Sequence, residues 1–400
     1  MANKSFSMMP LAGMDNAAQR DDALAVGGDA RRIYLRDAVN MDISSTGKAQ
    51  MRPGRRKVTS QLLRDVWQSP LHGDVFGRLG AEWMLVDRQS WDCTPLATIG
   101  DGQVSNIVLN NLVVASGPTG LWRFGGAGAE RLTLAVPPAP ALSVAVGDGS
   151  LEAGHYSVAL AWLRGTQEGP LSAMVTVVLG ERGALTVTLP LALDPTITGM
   201  RLYHSRCNGG ELLRGEDYPV GTTEVLVPLL PKLGAAAQWL HMEPMPAGLY
   251  LAYWRGRLVT ATGNVLRFSE ALAYHLHDPR HGFVQLPQRI TFVQPVEAGL
   301  WVGQVDHVVF LAGTTLDELV LQRKASKPPV PGTAIALSAQ DSGELSAGGR
   351  AVVAWLAGNG FVLGTADGSL VETQAKRIAG VHGQRGTCIG FGGRLLAVLQ

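Results

Sequence analysis

The densest grouping of side chains able to hold a metal or move a proton is His275-Leu-His277 with Asp278 and His281. Imidazole nitrogens and carboxylates are zinc ligands, and residues at i and i+2 share a face when the backbone is a strand. The surrounding residues point elsewhere. Ser269 followed by Glu270 reads as a helix start, which predicts a short helix over 269–277 running into a loop at Pro279. Histidines two apart on a helix do not face each other. Solvated loop histidines are therefore the favoured reading, with a metal site as the alternative, and no cofactor is expected.

A second grouping is basic. Arg31 and Arg32 are followed by Lys48, Arg52, Arg55, Arg56 and Lys57, and the core of the cluster is Arg52-Pro-Gly-Arg-Arg-Lys57. Such a set suits DNA phosphates or an acidic protein surface. Asp29, Asp37 and Asp42 neutralise part of it, and no interleaved aromatics suggest stacking on single strands. A protein–protein contact through Arg31, Arg32, Arg52, Arg55, Arg56 and Lys57, or ordinary surface ion pairing, is favoured over DNA binding.

Enzyme signatures are missing. The sequence has no GxSxG elbow, GxxxxGK[ST] loop, HExxH or strand–GxGxxG–helix unit. Gly125-Gly-Ala-Gly128 is glycine-rich like a phosphate cradle, yet no helix is predicted after it to supply a dipole. Acidic residues are scattered singly and no Ser-x-Asp-x-Gly-x-Thr-Trp box occurs. A non-enzymatic protein is expected.

The elements that would position these residues read almost entirely as strands. Apolar runs bounded by Gly, Asn, Asp or Pro recur at 107–115, 156–163, 174–179, 184–189, 249–253, 257–262, 300–305, 307–312, 351–356, 361–364 and 394–399. The helix candidates are 269–277 and a stretch near 234–240. Several runs repeat. Asn111-Leu-Val-Val-Ala-Ser-Gly117 with Leu121-Trp-Arg-Phe124 recurs as Arg257-Leu-Val-Thr-Ala-Thr-Gly263 with Leu266-Arg-Phe268, and Gly393-Arg-Leu-Leu-Ala-Val398 copies the first half. Ala298-Gly-Leu-Trp-Val-Gly303 and Asn359-Gly-Phe-Val-Leu-Gly364 form a second pair. Hairpin units repeated in this way indicate propeller blades, with an irregular sandwich as the alternative.

Composition agrees with a core-rich, frequently turning chain: 46% hydrophobic, 17% charged, 49 glycines and 22 prolines in 400 residues. That charged share is below the roughly 25% of ordinary soluble domains, which suggests surface buried against partners. A net charge of +1 excludes a histone-like global attraction to nucleic acid. No apolar run reaches the roughly 18 residues of a membrane span, so stable membrane insertion is not expected, nor is a signal peptide. Cys93, Cys207 and Cys388 are odd in number and widely spaced, which suggests neither a disulfide framework nor a zinc site and fits folding in a reducing cytosol.

Between the repeats the character changes. After Val136-Pro-Pro-Ala-Pro140, about seven short strands with regular turn signals suggest an immunoglobulin- or fibronectin-like sandwich inserted into a loop of the repeat domain. The expected architecture is all-β: an N-terminal extension over 1–30, a propeller-like domain over 31–132 and 237–400, and the inserted sandwich over 133–236. Tyr156, Trp162, Val187 and Leu202 are expected in the sandwich core. The last strand, Arg394–Leu399, is expected to close the propeller by pairing with a strand from early in the chain.

The N-terminal residues carry a resemblance. Met9-Pro-Leu-Ala-Gly-Met-Asp-Asn16, Tyr34-Leu-Arg-Asp-Ala-Val-Asn-Met-Asp42, Gly47 and Met51-Arg-Pro-Gly-Arg55 resemble the opening of a virion protein family from short-tailed bacteriophages and their prophages. The resemblance continues through Leu71-His-Gly73, Trp254-Arg-Gly-Arg-Leu258, Leu266-Arg-Phe-Ser-Glu270, Ala298-Gly-Leu-Trp-Val302 and Phe310-Leu-Ala-Gly313. The family is that of tail nozzle (hub) proteins, similar in role to tail tubular protein B. The resemblance implies a structural protein of the viral tail, assembled in the bacterial host cytoplasm. It implies a homo-oligomeric ring, a hexamer, below the portal and adaptor, contacting other tail proteins and passing double-stranded DNA at ejection. The alternative is a propeller that binds or hydrolyses cell-surface glycans.

Overall fold

The computed structural model describes residues 10–20, 24, 32–44, 46–52, 54, 56–337, 351–391 and 394–400. Among them the regular structure is strand, in small sheets that are almost entirely antiparallel. The chain divides into two compact units: residues 63–262 with 266–284, and residues 1–62 with 263–265 and 285–400. Both units take strands from before and after the sandwich segment.

In the first of these units, two sheets are four-stranded meanders in sequence order. One comprises Arg64–Gln68, Val75–Leu79, Glu82–Val86 and Cys93–Thr98. The next comprises Ser105–Leu109, Leu112–Gly117, Gly120–Phe124 and Ala129–Arg131. A third sheet runs Leu249–Trp254, Arg257–Thr262, Val265–Glu270 and Ala273–His277, flanked by Glu243–Pro244. The 105–131 sheet is buried on both faces. Alternation sends Val113, Ala115 and Phe124 against Phe76 and Trp83 of the 64–98 sheet, with ring centroids of Phe76 and Phe124 5.7 Å apart. The intervening Leu109, Val114 and Leu121 pack on Leu251, Leu258 and Tyr274 of the third sheet. Four-stranded meanders stacked face to face are propeller-like blades.

The repeated sequences sit at matching places here. Leu112–Gly117 with Gly120–Phe124, and Arg257–Thr262 with Val265–Glu270, are the second and third strands of their sheets. Each pair is preceded by a two-residue turn with both residues left-handed: Asn110 and Asn111 at φ 47° and 63°, Arg255 and Gly256 at 49° and 77°. Such turns match the twist of the strands they join.

The sandwich lies within the same unit. Ala141–Leu151, Gly183–Thr188 and Glu224–Val227 form a three-stranded sheet; Gln167–Leu171, Gly154–Arg164, Gly199–His204 and Leu213–Pro219 form a second, with Val175–Leu179 also paired to the long Gly154–Arg164 strand. Tyr156, Val158, Leu160, Trp162, Leu185, Val187, Leu189 and Leu202 fill one core between them, joined by Leu134 from the preceding segment. The opposite face of the second sheet, at Ala159, Ala161 and Tyr203, is covered by Ala237, Trp239 and Leu240. That stretch near 234–240, expected as a helix, is irregular: its carbonyls and amides are spent on bonds to Leu212 and Arg214 and one bridge to Leu213.

In the other unit, Ile290–Val296, Gly299–Gln304, Val308–Ala312 and Val320–Lys324 form one meander, and Ile335–Leu337, Val352–Ala357, Gly360–Gly364 and Leu370–Glu372 another. Trp301 and Trp355, fully buried with ring centroids 5.4 Å apart, join the two faces. The 298–303 and 359–364 repeats occupy different places, second strand in one sheet and third in the other. Near the N-terminus, Leu11–Met14 runs parallel to Ile33–Leu35, across the boundary expected at residue 30, and Met41–Ile43 pairs with Ala49–Met51. Asn16 exchanges side-chain bonds with the backbone of Ala379 (2.8 and 3.0 Å), while the Arg377 guanidinium lies 4.3 Å over the Tyr34 ring. The last strand departs from expectation. Among the described residues Arg394–Leu399 pairs with its neighbour Gly386–Phe391 and with no early strand. The short loop makes that hairpin a local contact, and what reaches the early chain is the Arg394–Asp42 ion pair at 3.6 Å.

Candidate functional site

Of the basic cluster, Arg31 and Arg55 lie outside the described residues. Arg32, Arg56 and Lys57 are exposed. Arg52 donates through Nε to Asp42 Oδ1 at 2.8 Å, on the Met41–Ile43/Ala49–Met51 hairpin, and Asp42 also faces Arg394. One carboxylate thus draws Arg52 and Arg394 together, while Met51 beside it stays 81% exposed.

The histidines depart from the helical reading. Residues 265–270 and 273–277 are the two strands of a hairpin. Ser269 is not a helix cap: fully buried, its hydroxyl accepts from the Leu258 amide at 2.9 Å and donates to the Glu270 carbonyl. The favoured reading of loop histidines in solvent is corrected for His275 and His277. Both are strand residues, and each ring is committed to a carbonyl oxygen, His277 Nδ1 to Phe268 at 2.9 Å and His275 Nε2 to Glu168 at 2.7 Å. Asp278 is clamped by Arg280, whose side-chain bond is the main cause holding its carboxyl down at about 2. His281 is exposed. Among the described residues no three His, Cys, Asp or Glu side chains gather as a metal site.

The His275–Glu168 bond belongs to a junction that sequence reasoning missed. It lies where the sandwich hairpin formed by Gly154–Arg164 and Gln167–Leu171 meets the blades. Arg164, 8% exposed, donates to the carbonyls of Arg131 and Thr133. Gln167 Nε2 donates to the Leu132 carbonyl at 2.9 Å. On the sandwich side Arg201 bonds Glu168 and, through both Nε and Nη2, Asp217 at 2.7 Å; Tyr203 donates its hydroxyl to Glu168. Burial lowers the Arg164 guanidinium below its ordinary value, with nearby Arg123 adding to the effect, and lowers the His275 imidazole. Arg201 holds Asp217 below the usual carboxylate range, chiefly through its bidentate bond, and burial raises the Tyr203 phenol. Most of these donors and acceptors are matched to one another, while Arg164 Nε and Gln167 Oε1 are buried without a partner among the described residues. Such a seam fixes geometry between two packed bodies, because leaving any buried member unpaired is costly.

The Gly125–Gly128 loop borders an open cleft of about 380 Å³ with Leu112, Arg123 and Glu130. Arg123 is already engaged there, with Nε 2.9 Å and Nη2 2.8 Å from Glu130 Oε1. The three cysteines are free thiols.

Comparisons with known proteins add little to these sheets. No family model matches the chain, and no curated protein matches it. Among solved structures it is similar, at 12% identity, to the computationally designed Ika8 protein, over 85% of this chain and 93% of that one, with a TM-score of 0.27. It is similar to the dihydro-heme d1 dehydrogenase NirN at 14% identity, over 78% of this chain and 65% of that one, with a TM-score of 0.26. Sqt1 of Saccharomyces cerevisiae matches at 12% identity over 72% and 92%, with a TM-score of 0.20. The propeller-like, all-β description rests on the stacked meanders and the sandwich themselves.

Proposed function

We propose that this chain is a non-enzymatic structural subunit of a short-tailed phage tail, in the nozzle or hub ring that conducts DNA below the portal and adaptor. The supporting observation is the surface around the basic cluster. Met51 and Leu62, both 81% exposed, and Val58, 54% exposed, share a stretch of sequence with Arg52, Arg56 and Lys57. Methionine and arginine are enriched in protein–protein interfaces, and large exposed apolar side chains mark surfaces meant to be covered. The low charge of the chain and the motifs quoted above point the same way.

A DNA conduit must release what it passes. Cations lining it would each add to phosphate affinity, so the arginines serve contacts between proteins, where they bond carboxylates bidentately. Two experiments test this. Electron microscopy of the virion should find the chain in a ring with these residues against a neighbouring subunit; side chains of the cluster on the channel wall would refute the placement. Changing Arg52, Arg55 and Arg56 together to Ala should weaken assembly, and a triple variant that assembles normally but fails only in DNA passage would overturn it.

A further inference from the structure

The last sheet has an unusual edge. Gly386–Phe391 and Arg394–Leu399 form a sheet of two strands, whereas the neighbouring meanders in the same unit have four. A hairpin of this kind is marginal alone. Its register assigns every backbone group. Arg385 and Gln400 exchange both N–H···O bonds, so the strands bond to each other at alternate pairs from there: 387 with 398, 389 with 396, 391 with 394. Residues 386, 388 and 390 then point outward on one edge. The Gly386 amide does so, donating to Pro331 O at 2.8 Å. On the other edge Leu395, Ala397 and Leu399 turn their N–H and C=O groups away from the hairpin. Among the described residues no strand pairs with them.

Edge strands are ordinarily blunted by a charged residue, a proline or a bulge. Between 395 and 399 the sequence Leu-Leu-Ala-Val-Leu has none of these. The segment is also self-complementary. Set antiparallel to its own copy with Ala397 opposite Ala397, it places Leu395 opposite Leu399 and Leu396 opposite Val398. The single charge of the strand, Arg394, then lies opposite Gln400, so no like charges meet. Ile389 and Val398, 53% and 56% exposed on one face of the hairpin, would join their copies in one apolar strip across a four-stranded sheet.

We propose that the strand Arg394–Leu399 pairs with the same strand of a second copy of this chain, antiparallel about Ala397. The pairing is a property of the free chain and does not depend on the tail reading.

The test uses the full-length protein. Sedimentation over about 1–50 μM, a range in which an edge contact of micromolar affinity is half-populated, should show a dimer. Ala397→Pro removes one outward N–H and leaves the hairpin's own bonds intact, so it should weaken dimerisation about tenfold or more with little change in melting. Ala397→Cys should form a covalent dimer on oxidation, since hydrogen-bonded antiparallel partners sit about 5.5 Å apart, within disulfide reach. This variant is made with Cys93→Ser, Cys207→Ser and Cys388→Ala, because Cys388 faces Ala397 within the hairpin. A chain that stays monomeric would overturn the proposal. So would a dimer indifferent to Ala397→Pro, or one that Ala397→Cys fails to cross-link.

Discussion

His275 and Glu168, 107 positions apart in sequence, are joined by a 2.7 Å bond from an imidazole nitrogen to a backbone carbonyl. Through it a blade strand holds the turn of the sandwich hairpin. Because the acceptor is main chain, no substitution at Glu168 can remove it, and the bond depends on position 275 alone.

His275→Ala should therefore leave the Glu168 carbonyl unsatisfied in a partly buried seam and cost about 1–3 kcal/mol. The readout is chemical denaturation together with proteolysis at the 164–168 turn. Unchanged stability and unchanged cleavage would show that the seam does not depend on this bond.

His204 gives a pH prediction. It is 1% exposed, both ring nitrogens are without a partner among the described residues, and burial pushes its pKa from 6.5 down to about 4. The unfolded chain takes up a proton near pH 6.5 and the folded chain does not until about pH 4. Its contribution is complete above pH 6.5 and is lost as pH falls through that window, by up to about 3 kcal/mol. His204→Leu should flatten the slope of stability against pH between 4 and 6.5; an unaltered slope would assign it to other groups.

Gly364 has no room for a side chain. A Cβ there would lie 2.6 Å from Trp301 Cε2 and 2.9 Å from Trp355 Cζ3, while Trp301 is held by a 2.9 Å bond to the Thr365 carbonyl. Gly364→Ala should destabilise by about 1–3 kcal/mol through overpacking, against little loss for Gly180→Ala, where the added Cβ meets nothing within 4 Å and the backbone is not left-handed. Equal melting shifts for the two would contradict the tight fit at the tryptophans.

A fragment of residues 133–236 should unfold cooperatively. Leu134 is fully buried in the sandwich core, so Leu134→Ala in that fragment should cost about 2–4 kcal/mol. A fragment indifferent to the change would place Leu134 outside the autonomous core.

Most strands were legible because their apolar residues alternate and their turns carry Gly, Asn or Pro. Gly154–Arg164 is an example: Tyr156, Val158, Leu160 and Trp162 announce one face, and all four reach the core. The 265–277 hairpin was not legible. Its turn falls at Ala271 and Leu272, and Leu272 takes φ 60° while 76% exposed, a conformation that leucine rarely adopts and does not advertise. With the turn hidden, Ser269-Glu270 read as a helix cap, and the histidines were misplaced with it. The polar seam left no trace either, since Arg164, Gln167, Glu168, Arg201 and His275 meet only through tertiary pairing.

The bonds between Asn16 and Ala379 also order events in time. Blade meanders are built from neighbours in sequence and can form as they leave the ribosome. The contacts of Asn16 cannot form early: their partner Ala379 is translated 363 residues later, so this side chain must wait while those residues are added. At about 5–20 residues per second that wait is on the order of 20–80 s. During it Asn16 has neither of these bonds, and a chain cut short before Ala379 would never gain them.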